Sequence, residues 1–393
     1  MAIRILLGLV AGALLGALVA PEAPWLIEYF ARPAGQLFMR LLLVLVMPLA
    51  AAALVLGVAE LKPGSIGPVA RRAFALTLGL TGAGVAIGLL LVTVVHPGRG
   101  VDRAALPAGD AVAPITGSPV DTFVQMVPDN VIAAAAKGEL LGVLIVAVLV
   151  GLALRRTENA EPFRAVVQGL FDVLVQGVQM VMWLAPLGVA GLTATMVAKT
   201  GLGGLAPLAR FVGVVLGAIL VQGLVVYPLV LKLLGKRSPL SFYRAVQPAL
   251  AMAFSTASSA ATLPTTLRVA ETELRLRPDL ARFVLTVGAS ANQNGTALFE
   301  GVAVLYLAQL YGVDLSLAQQ GFVVLVAVAA GVGTAGVPGA SMPVIAALAA
   351  SLGIPPESVG VLVGIDRFLD MCRTTLNVAG DLVIAAALDE PGR

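Results

Sequence analysis

The sequence predicts an all-α polytopic membrane protein with eight transmembrane helices and two re-entrant helical hairpins, arranged as inverted repeats. Three observations support this fold class. Hydrophobic residues make up 59% of the 393 residues and charged residues only 12%, with a mean hydropathy of +0.98, which is typical of a chain that crosses a bilayer several times. The apolar segments of the second half are broken by polar or glycine-rich turns, and the last one carries a stripe of charged side chains.

The first half of the chain contains the simpler predicted spans. Its first apolar segment could be a signal peptide, but further spans follow at once, so we interpret it as the first transmembrane helix. Lysine and arginine residues after the second, fourth and sixth spans place those loops and both termini in the cytoplasm. Pro97–Glu139 is a polar external loop that re-enters at Val131–Ala136. The predicted spans are Ile3–Ala20, Gln36–Leu61 with a kink at Pro48, Ala73–Val95, Leu140–Leu154, Pro162–Val197 with Pro186 inside, and Leu205–Leu234.

The second half alternates hairpins with interrupted or polar spans. Ser238–Pro264 is broken by FSTASSAATLP, and each of its halves is too short to cross a bilayer core of ~30 Å. Phe283–Leu310 is interrupted by SANQNGTALFE, Ala318–Leu352 repeats the hairpin around GVGTAGVPGAS, and Val359–Leu388 is the final span. The first hairpin opens from the cytoplasm and the second from outside, which indicates an inverted repeat with a binding site at the membrane midplane.

The stretch from residue 364 to residue 381 is the strongest functional signal. On a helix, seven polar residues fall on one stripe or at its edges: Asp366, Arg367, Asp370, Arg373, Thr374, Asn377 and Asp381. Charged side chains in hydrocarbon are costly and usually functional. An Asp–Arg pair that only locks helix packing is the simpler alternative. The combination of carboxylate, guanidinium, hydroxyl and amide groups favours a binding site for a charged solute and small cations.

Other polar motifs allow both a structural and a functional interpretation. Asn292 and Asn294 could join helices, but beside Gly295 they favour an unwound turn that contacts an ion or solute. Glu300 has no obvious neighbouring cation and could carry a proton, although it could also be a helix end that touches water. The GVGTAG motif matches a dinucleotide fingerprint, but the following segment does not provide the required acidic residue and amphipathic helix.

The composition excludes several classes of function. A net charge of +3 without a basic, aromatic-rich stripe excludes a nucleic-acid partner. The single cysteine, Cys372, excludes an internal disulfide, and the single histidine, His96, excludes a histidine-based metal cluster. A hydrolase using Ser258 with Asp370 would lack a base, because His96 is expected at the outer end of the third span. We therefore expect neither an enzyme nor a cofactor.

Four motifs together resemble the dicarboxylate/amino acid:cation symporter family, which includes archaeal aspartate transporters and animal excitatory amino acid transporters. They are SSAATLP, NQNGTALFEG, GTAGVPGA and DMCRTTLNVAGD, and they occur in the family's order. The resemblance implies a homotrimer, embedded in the lipid of the inner (plasma) membrane, that works as an elevator-type transporter. The implied scaffold comprises residues 1–72 and 97–200, and the implied moving transport domain comprises residues 73–96 and 201–393.

The resemblance also implies the substrate contacts. Arg373 would hold a side-chain carboxylate in a two-point grip, Asp370 would accept the α-ammonium group, and Thr296 would approach the side-chain carboxylate. The α-carboxylate would be held by Asn377, Thr374, Ser258, Ser259, Gly336, Val337 and Gly339. Relatives for neutral amino acids lack the arginine and relatives for plain C4-dicarboxylates lack the aspartate, so glutamate or aspartate is the expected substrate.

Two sodium sites follow from the same resemblance. One would use Asp381 with backbone oxygens of Gly288, Asn292 and Asn377, and the second would use backbone oxygens of Ser290, Gly331, Val332 and Thr334. A third family site is incomplete, because Asn294 replaces its carboxylate and Leu80–Thr81 replaces a Thr–Ser pair. Glu300 stands where proton-coupled relatives carry a glutamate, so we hypothesise that a proton replaces the third sodium ion.

Two kinds of alternative stay open. The substrate could be a C4-dicarboxylate or a neutral or sulfur amino acid, because Gln293 and Ala257 depart from the familiar pattern and could reshape the pocket. An anion channel is an alternative from another class of function. A channel needs no alternating gate, whereas uptake by a symporter saturates and accumulates the substrate against a gradient.

Overall fold

The computed structural model describes residues 2–60, 68–100, 127–136, 140–333 and 341–389, and all regular secondary structure in these ranges is helical. The α-helices are α1 (Ala2–Leu14), α2 (Pro24–Leu26), α3 (Arg32–Glu60), α4 (Pro68–Val95), α5 (Val131–Ala136), α6 (Leu140–Leu154), α7 (Glu161–Met182), α8 (Ala185–Thr200), α9 (Leu205–Val221), α10 (Tyr227–Leu233), α11 (Pro239–Thr256), α12 (Ser259–Thr272), α13 (Pro278–Ala291), α14 (Asn294–Tyr311), α15 (Leu317–Gly333), α16 (Ser341–Ser351) and α17 (Gly360–Leu388). The all-helical class expected from the sequence is confirmed for these ranges.

Several helices are long and apolar enough to cross a membrane. Within the described ranges, three continuous helical segments meet this condition: Arg71–Val95, Leu205–Leu233 and Gly360–Leu388. The second of them joins α9 to α10 through a wider π-helical segment, Gln222–Val226. Shorter apolar helices, such as Leu7–Val19, accompany them. The total of eight spans stays a prediction.

The predicted fifth span is divided into two helices. The sequence predicts one span from Pro162 to Val197, but α7 ends at Met182 and α8 begins at Ala185. Pro186 lies in the first turn of α8, where its missing N–H removes no intrahelical hydrogen bond. The proline therefore begins a helix instead of interrupting one.

The first hairpin has its turn within the predicted serine-rich segment. Between α11 and α12 lie only Ala257 and Ser258, and Ala257 adopts a left-handed backbone conformation with φ of 48°. The Ser258 hydroxyl oxygen accepts a hydrogen bond from the Ala261 N–H at 3.2 Å and caps α12. The tip of the second hairpin, which carries Thr334 and residues 336–339, lies outside the described residues.

The base of the first hairpin is tied to the end of α17. Asp389 accepts a hydrogen bond from Nη2 of Arg237 at 2.9 Å and lies 3.4 Å from Nε of Arg277. Arg237 precedes α11 and Arg277 precedes α13, so one carboxylate fixes both ends of the hairpin. This ion-paired cluster fixes the base of the hairpin against the end of the polar helix α17.

The predicted break in the seventh span is confirmed. Helix α13 ends at Ala291, Asn292 and Gln293 are not helical, and α14 begins at Asn294. Nearly all residues of α14 are buried, and they pack against α4, α15 and α17. The unwound turn therefore lies inside the protein, where other helices can satisfy its polar groups.

Glycines let α1 and α8 approach each other closely. A Cβ atom at Gly12 would lie 2.3 Å from the carbonyl oxygen of Ala190, and one at Gly8 would lie 2.3 Å from that of Pro186. A Cβ atom does not approach a nonbonded oxygen this closely, so a larger residue at either position must move the helices apart.

We expect Gly12→Ala to destabilise the protein, because its methyl group meets the backbone of α8. The expected cost is about 1–3 kcal/mol, as for overpacking in other protein interiors. The measurement is the apparent melting temperature of the detergent-solubilised protein. Gly79→Ala in α4 is the matched control, since its methyl group meets open space. Equal melting temperatures for the two variants would contradict this packing.

Candidate functional site

Arg373 forms the centre of a buried charged cluster on α17. Its side chain is only 1% exposed. Its Nη2 donates hydrogen bonds to Oδ1 of Asp366 and to Oδ1 of Asp370, both at 2.9 Å. The guanidinium carbon lies 4.0 Å from the centre of the Phe299 ring on α14. The cation is thus held by two carboxylates and an aromatic face.

The guanidinium still has free donors. Its Nε and Nη1 atoms are buried and have no hydrogen-bond partner among the residues that the structure describes. Buried donors without a partner are costly, and a guanidinium presents its N–H groups as a fork that matches a carboxylate. The site can therefore accept an additional anion at Arg373.

Asp366 and Arg367 belong to this cluster, although the sequence places them only at the edges of the stripe. Asp366 precedes Arg373 by seven residues, or about two helical turns, so the two side chains lie on one face. Arg367 lies one turn before Asp370, with its Nη1 3.4 Å from the second carboxylate oxygen of Asp370. Each oxygen of Asp370 therefore faces a different arginine. The helical spacing alone could have identified both contacts.

Asn377 connects α17 to the unwound turn before α14. Its Oδ1 accepts a hydrogen bond from the Gly295 N–H at 2.7 Å. Its Nδ2 donates to Oε1 of Gln293 at 2.5 Å and to the hydroxyl of Thr296 at 3.3 Å. A Cβ atom at Gly295 would lie 2.7 Å from the carbonyl oxygen of Arg373. The predicted contacts Asn377 and Thr296 lie together, and Gln293 is an additional member of the site.

Asp381 forms a second polar centre one helical turn beyond Asn377. It is 2% exposed, and its Oδ1 accepts a hydrogen bond from Nδ2 of Asn292 at 2.7 Å. A Cβ atom at Gly288 would lie 2.3 Å from Oδ1 of Asp381. Among the described side chains, none forms an ion pair with this carboxylate. Three of the four residues expected in the first sodium site, Asp381, Gly288 and Asn292, thus lie together around a carboxylate without an ion pair among the described side chains, which a hard cation can neutralise.

Asn294 belongs to a neutral network. The hydroxyl of Thr81 donates a hydrogen bond to Oδ1 of Asn294, and Nδ2 of Asn294 donates to the hydroxyl of Tyr227 at 3.0 Å. The Tyr227 hydroxyl in turn donates to the carbonyl oxygen of Leu376 at 3.2 Å. All three side chains are almost fully buried. Both ends of the Asn294 amide have partners within the protein, and none of these partners carries a charge.

Glu300 is buried on α14. It is 0% exposed, and neither of its carboxyl oxygens has a hydrogen-bond partner among the described residues. Arg373 pairs with Asp366 and Asp370, and no cation of the described residues forms an ion pair with Glu300. The alternative of a helix end in contact with water is excluded, because Glu300 lies well inside α14.

The remaining predicted residues surround this core. Thr374 is 5% exposed beside Arg373, and Ser259 is buried at the start of α12, with a hydroxyl that has no partner among the described residues. A Cβ atom at Gly331 would lie 3.5 Å from the carbonyl oxygen of Gln293, so the end of α15 reaches the unwound turn. Ser290 and Val332 lie in helices α13 and α15. The predicted contacts Gly336, Val337, Gly339 and Thr334 lie outside the described residues.

Comparisons with known proteins give a consistent result. The profile of the sodium:dicarboxylate symporter family matches residues 1–390. The chain is 35% identical to the proton/glutamate-aspartate symporter of Escherichia coli (strain K12), over 97% of this chain and 91% of that protein. It is 31% identical to the proton/sodium-glutamate symport protein of Bacillus subtilis (strain 168), over 99% and 92%. It is 33% identical to the C4-dicarboxylate transport protein of Rhodospirillum rubrum, over 97% and 86%.

We expect Gly288→Ala to weaken sodium binding, because the added methyl group displaces the Asp381 carboxylate. The measurement is the rise in melting temperature that sodium chloride produces over choline chloride. The expected loss of affinity is about tenfold or more, as for a displaced ligand of a hard cation. Gly213→Ala in α9 is the control, since its methyl group meets open space. A sodium response in Gly288→Ala equal to that of the control would contradict a cation site at Asp381.

Proposed function

The chain belongs to the sodium:dicarboxylate symporter family, whose members are transporters, and we propose that it is a secondary active symporter importing glutamate or aspartate with protons, sodium ions or both. One observation carries the proposal: a buried arginine with free donors lies beside a carboxylate on the same helix face. An acidic amino acid brings a carboxylate for Arg373 and an ammonium group for Asp370. The names of the relatives from Escherichia coli and Bacillus subtilis support this substrate class.

The hydrogen-bond geometry indicates how binding proceeds. A parallel two-point grip on a carboxylate uses Nη2 of Arg373 together with either Nη1 or Nε. Both hydrogens of Nη2 are donated to Asp366 and Asp370, so one aspartate must release the arginine when substrate enters. Asp370 is the one that gains a replacement, because the ammonium group of the substrate can take the position of Nη2.

The identity of the coupling ions is inferred from the buried carboxyl groups and their partners. The uncompensated Asp381, with Gly288 and Asn292, supports one sodium site. The neutral partners of Asn294 do not favour a third sodium ion, because sodium prefers carboxylate oxygen. Glu300 supports proton coupling, since a buried carboxyl group without hydrogen bonds is less costly when it carries a proton than when it carries a charge.

The proposal includes an elevator mechanism in a homotrimer of the inner membrane. In this mechanism residues 73–96 and 201–393 move together against residues 1–72 and 97–200. All site residues described above lie in the first group, on α4, on the helices from α10 to α17 and in the unwound turn at Asn292 and Gln293. A site built within one group of helices can cross the membrane without being taken apart, which supports a moving domain.

C4-dicarboxylates are the second candidate substrates. The relative from Rhodospirillum rubrum is named for them, and Asp370 already faces two arginines in the absence of an ammonium group. Neutral and sulfur amino acids are less favoured, because they offer no second carboxylate to Arg373.

Uptake of labelled aspartate into proteoliposomes tests the proposal. We expect gradient-driven, saturable uptake in the wild type and a loss of at least about tenfold in Arg373→Lys, since lysine keeps the charge but not the fork. Arg282→Lys is the control, because Arg282 is exposed and pairs with Glu271, neither of which belongs to the site. Saturable accumulation distinguishes the symporter from a channel. No uptake under either a sodium or a proton gradient would refute acidic amino acids as substrates.

Glu300→Gln tests proton coupling. A proton symporter takes up substrate faster as the outside pH falls below the inside pH, and we expect this acceleration in the wild type. The glutamine variant should lose it, because the amide has the same shape but cannot exchange a proton. Uptake at matched pH values across the membrane is measured alongside. Glu271→Gln is the control at an exposed ion pair, and unchanged pH dependence in Glu300→Gln would remove Glu300 as the proton carrier.

A further inference from the structure

We propose that the base of the first hairpin binds the headgroups of anionic phospholipids. The hairpin base comprises residues 232–244, which lead from α10 into α11, and residues 268–282, which lead from α12 into α13. The inference goes beyond the proposed function, because it assigns a partner to a surface that contains none of the substrate or coupling-ion contacts.

Direct contacts join the two segments of the hairpin base. Nη1 of Arg237 donates a hydrogen bond to the carbonyl oxygen of Leu274 at 3.0 Å, so the turn after α10 contacts the turn after α12. Asp389 adds ion pairs with Arg237 at 2.9 Å and with Arg277 at 3.4 Å. The basic residues of both turns therefore lie at the same end of the helices.

The hairpin base has a large excess of positive charge. Its two segments contain eight basic and three acidic residues. Within the described part of the chain, five of the basic side chains are exposed and form no ion pair: Lys232, Lys236, Arg244, Arg268 and Arg275. A surface with this balance of charges attracts anions.

Exposed apolar side chains beside these cations favour a lipid over a soluble anion. The helical segment Leu205–Leu233 is long and apolar enough to cross a membrane, so Lys232 and Lys236 lie where it would leave the bilayer. Three leucines in the same stretch are each more than half exposed: Leu233, Leu234 and Leu240. Cations next to leucines at the end of a span match the boundary between phospholipid headgroups and acyl chains. A soluble anion would leave the leucines without a partner.

The backbone of the two turns gives independent support. Lys236 and Arg275 both lie in the left-handed region, with φ of 50° and 53°. Glycine is the usual residue in this conformation at a helix end, because other residues adopt it at a cost. The tendency of basic residues to gather on one side of a membrane does not explain the choice, since neighbouring positions would serve it equally well. A basic residue at this strained position in both turns favours a functional role for the charge.

Thermal unfolding of the purified, detergent-solubilised full-length protein tests the inference. We expect dioctanoyl phosphatidylglycerol, which is anionic, to raise the melting temperature in a saturable manner. The combined variant Lys236→Gly and Arg275→Gly should need at least about fivefold more of this lipid for half of the rise, since two cations are lost. Without lipid, the same variant should melt at an equal or higher temperature, because glycine adopts the left-handed conformation without strain.

Asn159→Gly is the matched control. Asn159 is exposed and lies in the left-handed region, with φ of 59°, but it carries no charge. This variant should respond to phosphatidylglycerol as the wild type does.

Four outcomes would overturn the inference. The first is an equal response to phosphatidylglycerol in the wild type and the combined variant. The second is an equal rise with zwitterionic dioctanoyl phosphatidylcholine, and the third is a full rise with glycerol phosphate, which has the headgroup but no acyl chains. The fourth is a combined variant that melts at a lower temperature without lipid, which indicates a structural role. None of these outcomes affects the proposed function, because the assay contains no transported substrate.

Discussion

A guanidinium group buried in an apolar helical protein must be neutralised, and the arrangement around α17 follows from this requirement. Arg373 is almost completely enclosed, and two aspartates of its own helix and the ring of Phe299 surround it. Charges interact strongly in such a medium, because little water screens them. The enclosure is nevertheless incomplete, since the N–H groups at Nε and Nη1 have no partner in the described part of the chain. An arginine that is held by ion pairs but keeps N–H groups without hydrogen-bond partners is suited to bind and release an anion.

The interruption between α13 and α14 lies against the polar helix α17 and provides hydrogen-bond partners for it. A continuous helix would use its backbone N–H and carbonyl groups in its own hydrogen bonds. At the interruption, the side-chain amides of Asn292 and Gln293 contact α17, where they meet Asp381 and Asn377. The missing side chain at Gly295 lets the two helices come close enough for this contact. Because the Arg373 cluster and the Asp381 centre share α17 and this turn, a movement at one changes the geometry of the other.

Much of the site could be predicted from the sequence, because charged residues in an apolar chain are rare and helical spacing places them on one face. The charged stripe was recognisable from this spacing. The serine-rich turn of the first hairpin and the interruption at Asn292 and Gln293 were recognisable because polar residues break apolar segments there. The continuous span from Pro162 to Val197 was wrong, because a proline fits both the interior and the start of a helix, and only the backbone at residues 183 and 184 distinguishes them. The contacts of Gln293 and Tyr227 join residues 84 and 149 positions apart along the chain, and no local pattern specifies them.

The hydrogen bonds of Asn294 have a consequence for the energy that transport can use. An amide that belongs to the chain is always present at its site, whereas a bound ion must be drawn from the surroundings. Each monovalent ion that moves down a tenfold gradient supplies about 1.4 kcal/mol. A carrier that replaces one ion with an amide gives up about that much concentrating power per cycle, unless another coupled ion such as a proton takes its place. In return, the packing of Thr81, Tyr227 and Asn294 is held by hydrogen bonds of the chain itself and requires no bound ion.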